Sequence, residues 1–206
     1  MSKVLILNGS PHVHGCTERA LQEAATTLQQ EGIETTIINV GNKNIRGCLA
    51  CYQCKEKGQC VINDAVNDIA PLFEHADGLL IGTPVYYGHA NGGLLALLDR
   101  LFFSTHFSKV MKVGAAVVSS RRAGSTSAFE DINKYFTISG MPIASSTYWN
   151  EVHGSTAEDV EKDIEGLNTM RNLAKAMAFL IKSIEIGKKE MGTPLLPTNI
   201  KTNFIR

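Results

Sequence analysis

Four cysteines form the densest group of reactive side chains in the chain. Cys48, Cys51, Cys54 and Cys60 follow the spacing Cys-x2-Cys-x2-Cys-x5-Cys. Thiolates this close in sequence can surround one metal centre, either an iron–sulfur cluster or zinc, or can act as free redox-active thiols. Zinc is the least favoured of these, because zinc sites usually pair Cys-x2-Cys hooks that lie farther apart. A cluster and free thiols both remain open.

A glycine-rich loop after the first apolar run has the residue types of a phosphate site. It reads Asn-Gly-Ser-Pro-His-Val-His-Gly-Cys-Thr over residues 8–17. Gly9 and Gly15 allow tight turns, Ser10 and Thr17 supply hydroxyls, and the N–H groups that open a helix attract an anion. The loop lacks the lysine of nucleotide hydrolases and the three-glycine dinucleotide pattern, so a monophosphate suits it best. A turn that only caps the helix is the structural alternative.

A second loop, residues 82–91, carries two tyrosines and a proline. Pro84 is expected to end the preceding strand. Backbone groups from Val85 to Gly88 can reach the polar edge of a ring system, and Tyr86 or Tyr87 can lie against its face. An aromatic pair packed between strand and helix is the structural alternative.

A third loop, residues 119–124, places two arginines ahead of a helix. Arg121 and Arg122 follow an apolar strand, and Ser120 and Gly124 flank them. Helix N-termini disfavour cations, so this position favours an anionic ligand nearby. Solvated arginines on the first helical turn are the alternative.

These loops require strands and helices in alternation, and the apolar pattern predicts them. The predicted strands are Val4–Asn8, Thr35–Val40, Gly78–Thr83, Lys112–Ser119 and Ile143–Thr147. The predicted helices are Thr17–Glu31, Asn67–His75, Gly92–Phe103, Thr126–Ser139 and Ala157–Gly187, the last opened by a capping box of Ser155 with Glu158. The alternation predicts an α/β fold, a five-stranded parallel sheet with helices on both faces, which binds ligands at the carboxyl ends of its strands.

Composition sets the class of protein. The 206 residues, 44% apolar, fit one domain over residues 1–187, with a cysteine-rich insertion at 41–60 and a C-terminal tail at 188–206. Twenty basic residues balance twenty acidic ones, so we expect neither nucleic acid nor membrane as a partner. Without a signal-peptide pattern, a cytoplasmic location is expected. The leucine-rich segment Gly92–Phe103 has more apolar residues than one stripe needs, which indicates a subunit interface or burial within the monomer.

The three loops together resemble the NADPH-dependent FMN reductase family of flavodoxin-like proteins. The family typically reads Gly-Ser-Pro-Arg-x-x-Gly-x-Thr in the first loop and Ser/Thr-Pro-x-Tyr-x-Gly in the second. The chain departs at His12, where the family often has a phosphate-facing arginine, and at Cys16, where asparagine is common. The cysteine segment also resembles the compact motif of the iron–sulfur flavoproteins in this superfamily, and its x2 spacing is similar to that of bacterial ferredoxins.

The resemblance implies an FMN-dependent oxidoreductase. NADH or NADPH would reduce bound FMN, which would pass electrons to a quinone, flavin, nitro or azo compound, or protein acceptor, with no catalytic amino acid because the flavin carries the chemistry. It also implies a homodimer or homotetramer. The alternatives are an electron-transfer protein without a small-molecule substrate and, less favoured, a zinc-binding regulatory module. The residues expected to bind FMN are Ser10, His12, Gly15, Cys16, Thr17, Pro84, Val85, Tyr86, Tyr87, Gly88, Ser120, Arg121, Arg122 and Gly124. A [4Fe–4S] cluster would be held by Cys48, Cys51, Cys54 and Cys60.

Overall fold

A six-stranded sheet forms the centre of the molecule. The computed structural model describes residues 1–196. The strands are β1 (Lys3–Asn8), β2 (Glu34–Asn39), β3 (Gly78–Tyr86), β4 (His89–Ala90), β5 (Val113–Ser120) and β6 (Glu151–His153). Five of them pair in parallel in the order β2-β1-β3-β5-β6, while β4 forms a short antiparallel hairpin with β3. The order reverses between β1 and β3, which is the flavodoxin-like arrangement. The predicted fold class is confirmed.

Helices cover both faces of the sheet. They are α1 (Cys16–Gln30), α2 (Cys54–Lys57), α3 (Ala65–Glu74), α4 (Gly92–Ser104), α5 (Ser125–Ile138), α6 (Ala157–Lys162) and α7 (Ile164–Met191). The helices α1 and α7 pack on one face, where leucines and alanines of α1 meet methionines of α7. The helices α3, α4 and α5 pack on the other face. Because both faces are covered, the central strands read as continuous apolar runs.

The fifth parallel strand lies later in the chain than predicted. Residues 143–147 contribute only a single bridge, from Ile143 to Gly114, and the strand is β6, paired with the end of β5. Its three residues include only one buried apolar side chain, Val152. Such a short edge strand has no apolar run that would reveal it.

The strand β3 also runs farther than predicted, because it passes through Pro84 to Tyr86. Pro84 pairs with Ser119 of β5. This position lies beyond the last pair between β1 and β3, Asn8 with Gly82, so one side of β3 has no strand partner there. A proline is tolerated at such a site, since its missing N–H interrupts no central ladder.

The last helix is divided rather than continuous. Asp163 separates α6 from α7 and accepts a hydrogen bond from the Gly166 N–H at 2.9 Å. The capping box of α6 is formed by Thr156 and Asp159, one residue later than the predicted pair. The helix α7 continues to Met191, so the predicted boundary at 187/188 falls inside it. Residues 197–206 of the predicted tail lie outside the described residues.

Within residues 1–196, none of the helices combines the length and the apolar character that crossing a membrane demands.

Candidate functional site

A cavity of about 460 Å³ opens at the carboxyl ends of the parallel strands. It is lined by the loops that follow β1 and β6, by the last residues of β3, and by the end of β5 with Arg121 after it. Of the residues predicted to bind the cofactor, nine line this cavity: Ser10, His12, Gly15, Cys16, Thr17, Pro84, Val85, Ser120 and Arg121. Its position at the point where the strand order reverses is where open α/β sheets bind ligands.

Buried polar contacts hold the first loop in place. The Gly9 N–H donates to the Gly82 carbonyl at 2.8 Å, and the Asn91 amide donates to the Gly9 carbonyl at 3.0 Å. The buried Asn8 side chain accepts a hydrogen bond from the Ser10 N–H at 3.0 Å. Gly41 approaches the loop so closely that a Cβ there would lie 2.3 Å from the Gly9 carbonyl oxygen. The loop therefore has little room to move.

Hydroxyl and backbone donors meet at the start of α1. Ser10 is buried, and its hydroxyl oxygen accepts the His12 N–H at 3.2 Å, which leaves its own proton available to a ligand. The Thr17 and Ser119 hydroxyls lie 2.7 Å apart, and one of them donates to the other. Gly15 begins the helix without a side-chain cap. The first N–H groups of α1 are thus suited to an anion.

One acidic side chain contacts the same loop. Glu18 accepts the N–H of His14, and its carboxylate lies 3.1 Å from the His14 ring nitrogen Nδ1. His14 has a φ of 68°, a left-handed conformation that is uncommon outside glycine. The His14 backbone N–H is therefore occupied by Glu18, while the exposed side chains of His12 and His14 both line the cavity.

The fourth wall of the cavity comes from residues 154–158, for which the sequence predicted a helix cap of Ser155 with Glu158 but no part in the site. The Cys16 thiol donates to the Thr156 carbonyl at 3.3 Å and so joins the first loop to this wall. Burial raises the pKa of the Cys16 thiol, and the negative charges of Asp159 and Glu158 raise it further, so the thiol is neutral at pH 7. The sequence of this segment shows a glycine followed by a helix cap. Because the fifth strand was predicted at Ile143–Thr147, the segment did not follow a predicted strand end and was not assigned to the site.

The second and third loops touch each other beside the cavity. Gly124 has a φ of 91°, and a Cβ there would lie 2.9 Å from the Val85 side chain and 3.0 Å from Gly88 Cα. Tyr87, at the tip of the β3–β4 hairpin, is fully exposed with a φ of 60°. The predicted residues outside the cavity lining are Tyr86, Tyr87, Gly88, Arg122 and Gly124.

The four cysteines border a second, small pocket of about 20 Å³. Cys54 is buried, whereas Cys48 and Cys51 are exposed. The Ala50 N–H donates to the Cys48 sulfur at 3.4 Å. In residues 1–196, no set of three or more His, Cys, Asp or Glu side chains is arranged to hold a metal ion. The four thiols are the kind of donor that an iron–sulfur group takes, and they share the lining of one pocket.

The strand order, the glycine-rich loop and the cavity together define a flavodoxin-like α/β protein with a cavity at the first strand-to-helix turn. A family model described as NADPH-dependent FMN reductase matches residues 2–156. The chain belongs to this family of FMN-binding, flavodoxin-like oxidoreductases.

Relatives and solved structures agree with this assignment. An iron–sulfur flavoprotein of Methanocaldococcus jannaschii is 35% identical over 191 residues, which cover 89% of this chain and 99% of the relative. RosB, solved with 8-demethyl-8-formylriboflavin-5'-phosphate, aligns with a TM-score of 0.72 at 15% identity, over 100% of this chain and 94% of that chain. A flavodoxin, WrbA-like protein from Agrobacterium tumefaciens aligns with a TM-score of 0.63 at 16% identity, over 89% and 99%. These two structures support the fold.

Proposed function

We propose that the protein is an FMN-dependent NAD(P)H oxidoreductase whose cofactor phosphate binds in the first loop. The observation that carries the proposal is the cavity, where an uncapped helix start, the Ser10 hydroxyl and the Thr17–Ser119 hydroxyl pair face one space. With His12 in place of an arginine, backbone N–H groups and hydroxyls bear most of the phosphate binding. The other predicted FMN residues belong to this proposal.

The rest of the cofactor would extend toward the second and third loops. When bound, FMN would supply the two-electron redox chemistry, with a nicotinamide as the proposed hydride donor. Pro84 and Val85 would border the ring, and Arg121 would place a positive charge beside the pyrimidine side, which is where negative charge develops on reduction. The tyrosines of the hairpin stand at the outer edge, and the exposed Tyr87 could cover one ring face.

We further propose a [4Fe–4S] cluster on Cys48, Cys51, Cys54 and Cys60, which would exchange electrons with the flavin. The support is the shared pocket, an N–H donor on the Cys48 sulfur, and relatives that are named iron–sulfur flavoproteins. The electron acceptor proposed is a small molecule, such as a quinone, flavin, nitro or azo compound, or a protein. A homodimer or homotetramer also remains a proposal, with the half-exposed Phe103 of α4 as a contact.

Steady-state oxidation of NADH and NADPH with a quinone or flavin acceptor tests the proposed reaction. Turnover that depends on added FMN is expected with at least one nicotinamide. Failure of both, together with fast electron exchange with a protein partner, would favour the electron-transfer alternative.

Two neighbouring arginines provide a matched pair for the flavin site. Arg121 lines the cavity, whereas Arg122 lies outside its lining, and both are exposed. Arg121→Ala should lower the FMN midpoint potential or slow its reduction, since it removes a cation near the developing charge. Arg122→Ala should have the smaller effect. If both variants keep the wild-type FMN midpoint potential in potentiometry and the wild-type rate of reduction in stopped-flow experiments, neither arginine acts on the flavin.

A further inference from the structure

A buried arginine, Arg100, lies on the apolar helix α4. Its side chain is only 1% exposed, and the neighbouring Leu97, Leu98 and Leu101 are fully buried. Placing a guanidinium among leucines costs several kcal/mol unless hydrogen bonds and an opposite charge compensate it. The groups that hydrogen-bond to the Arg100 guanidinium therefore indicate what this buried charge does.

All five hydrogen bonds of the Arg100 side chain go to the segment that carries the cysteines. The two terminal nitrogens of the guanidinium each donate to one oxygen of the Asp64 carboxylate, at 2.6 and 2.9 Å. They also donate to the carbonyls of Arg46, at 3.1 Å, and Ile62, at 3.1 Å. The remaining donor, Nε, lies 3.3 Å from the sulfur of Cys60. One side chain thus joins the chain before the first cysteine of the segment to the chain at and after the last.

The bond to Cys60 differs from the other N–H···S contact in the pocket. Cys48 accepts from a neutral backbone N–H, whereas Cys60 accepts from a guanidinium. A charge-assisted donor is the stronger of the two. Asp64 fixes the plane of the guanidinium by a two-pronged contact, so the Nε–H is held toward the sulfur.

We propose that Arg100 is the positioning residue of the cysteine centre: it ties both ends of segment 46–64 to α4, and its Nε–H sets the reduction potential of an iron–sulfur group on Cys60. The inference rests on the cluster proposed above. Hydrogen bonds to ligand sulfurs and nearby positive charge stabilise the more negative, reduced state, and they therefore raise the reduction potential. Removing the Arg100 contact should lower it.

Two variants separate this role from general stability. Arg100→Lys keeps the charge but loses the fork and the Nε–H. The double variant Arg100→Gln with Asp64→Asn replaces the buried ion pair by two neutral amides, so that neither partner is left as an unpaired charge. Arg171→Lys is the control, because Arg171 lies on the opposite face of the sheet and bonds Glu23 at 2.6 Å.

The measurement is the midpoint potential of the iron–sulfur signal, followed by EPR in anaerobically reconstituted protein, with the FMN potential recorded on the same samples. A shift to lower potential in both Arg100 variants is expected, with an unchanged FMN potential and an unchanged Arg171→Lys control. An iron-loaded Arg100 variant with the wild-type cluster potential would overturn the proposal. Loss of iron from both variants, with FMN and unfolding temperature retained, would support the positioning role.

Hydrogen–deuterium exchange of residues 46–60 in iron-free protein provides a readout that does not need the cluster. The double variant should exchange faster than the control in this segment, because the tie between its ends is lost. Wild-type protein that takes up no iron would refute the proposed cluster, and exchange would then decide the positioning role alone. Equal exchange in the double variant and the control would reject that role.

Discussion

Gly41→Ala should weaken FMN binding by displacing the phosphate loop from behind. Gly41 follows β2 and lies directly under the loop, where an added Cβ would sit 2.3 Å from the Gly9 carbonyl oxygen and 2.3 Å from the Ser10 carbonyl carbon. Real Cβ contacts essentially never fall below 3.0 Å, so the backbone must separate by about 0.7 Å or more. The loop cannot absorb this freely, because Asn8 and Asn91 hold it from the other sides.

Overpacking of this kind costs about 1–3 kcal/mol. If this cost destabilises the loop conformation that binds FMN, the Kd for FMN rises roughly 5- to 150-fold, since every 1.4 kcal/mol changes a Kd tenfold. The assay is a fluorescence titration of apo-protein with FMN at fixed ionic strength, beside a thermal unfolding curve. Gly47→Ala is the matched control, because a Cβ at Gly47 meets no atom of the described residues within 4 Å. Wild-type FMN affinity and unfolding temperature in Gly41→Ala would refute the close contact and the rigidity inferred for the loop.

Two further predictions concern polar groups that support the fold. Asn91→Ala should lower the free energy of unfolding by about 1–2 kcal/mol, measured by urea denaturation, because it removes the cap of α4 and the donor to Gly9. Asn91→Asp can keep the cap but cannot donate to Gly9, so it should retain most of that stability while still binding FMN less tightly. Burial alone would raise the pKa of the Glu23 carboxyl, but hydrogen bonds from Arg19 and Arg171 outweigh it and hold that pKa below its ordinary value. The contribution of the ionised Glu23 carboxylate to stability is therefore present at neutral pH and is lost as the pH falls through the lowered pKa. Glu23→Gln should be about 1–2 kcal/mol less stable than wild type at pH 7, and this difference should shrink toward pH 3. A difference that does not change with pH would contradict this assignment.

Much of the fold could be predicted because its central strands are buried on both faces. Their continuous apolar runs mark them without any knowledge of tertiary contacts. The edge strand β6 could not be found in this way, since only Val152 of its three residues is buried. Missing β6 also concealed the loop at 154–158, although that loop completes the cavity.

The first loop was readable from its own glycines and hydroxyls, but its supports were not. Asn91 acts through a contact with Gly9, far away in the chain, and the Asn8 side chain that holds Ser10 is itself bonded to the distant Asn39, so neither residue type nor spacing indicates these supports. The hydrogen bond between the Thr17 and Ser119 hydroxyls is likewise a tertiary contact, because the two residues are 102 positions apart in sequence. Arg100 is the clearest case, because a charged residue within an apolar helix usually predicts an exposed face, as at the adjacent Asp99, whereas Arg100 is buried.

The dependence of Arg100 on a single segment has a consequence for the history of the chain. Residues 46–64 supply every hydrogen-bond partner of that guanidinium within the described structure, so a descendant that deleted the segment would retain a buried cation with no compensation. The insertion and position 100 must therefore be gained or lost together. In a lineage that discards the cysteines and their flanks, an apolar residue should replace the arginine.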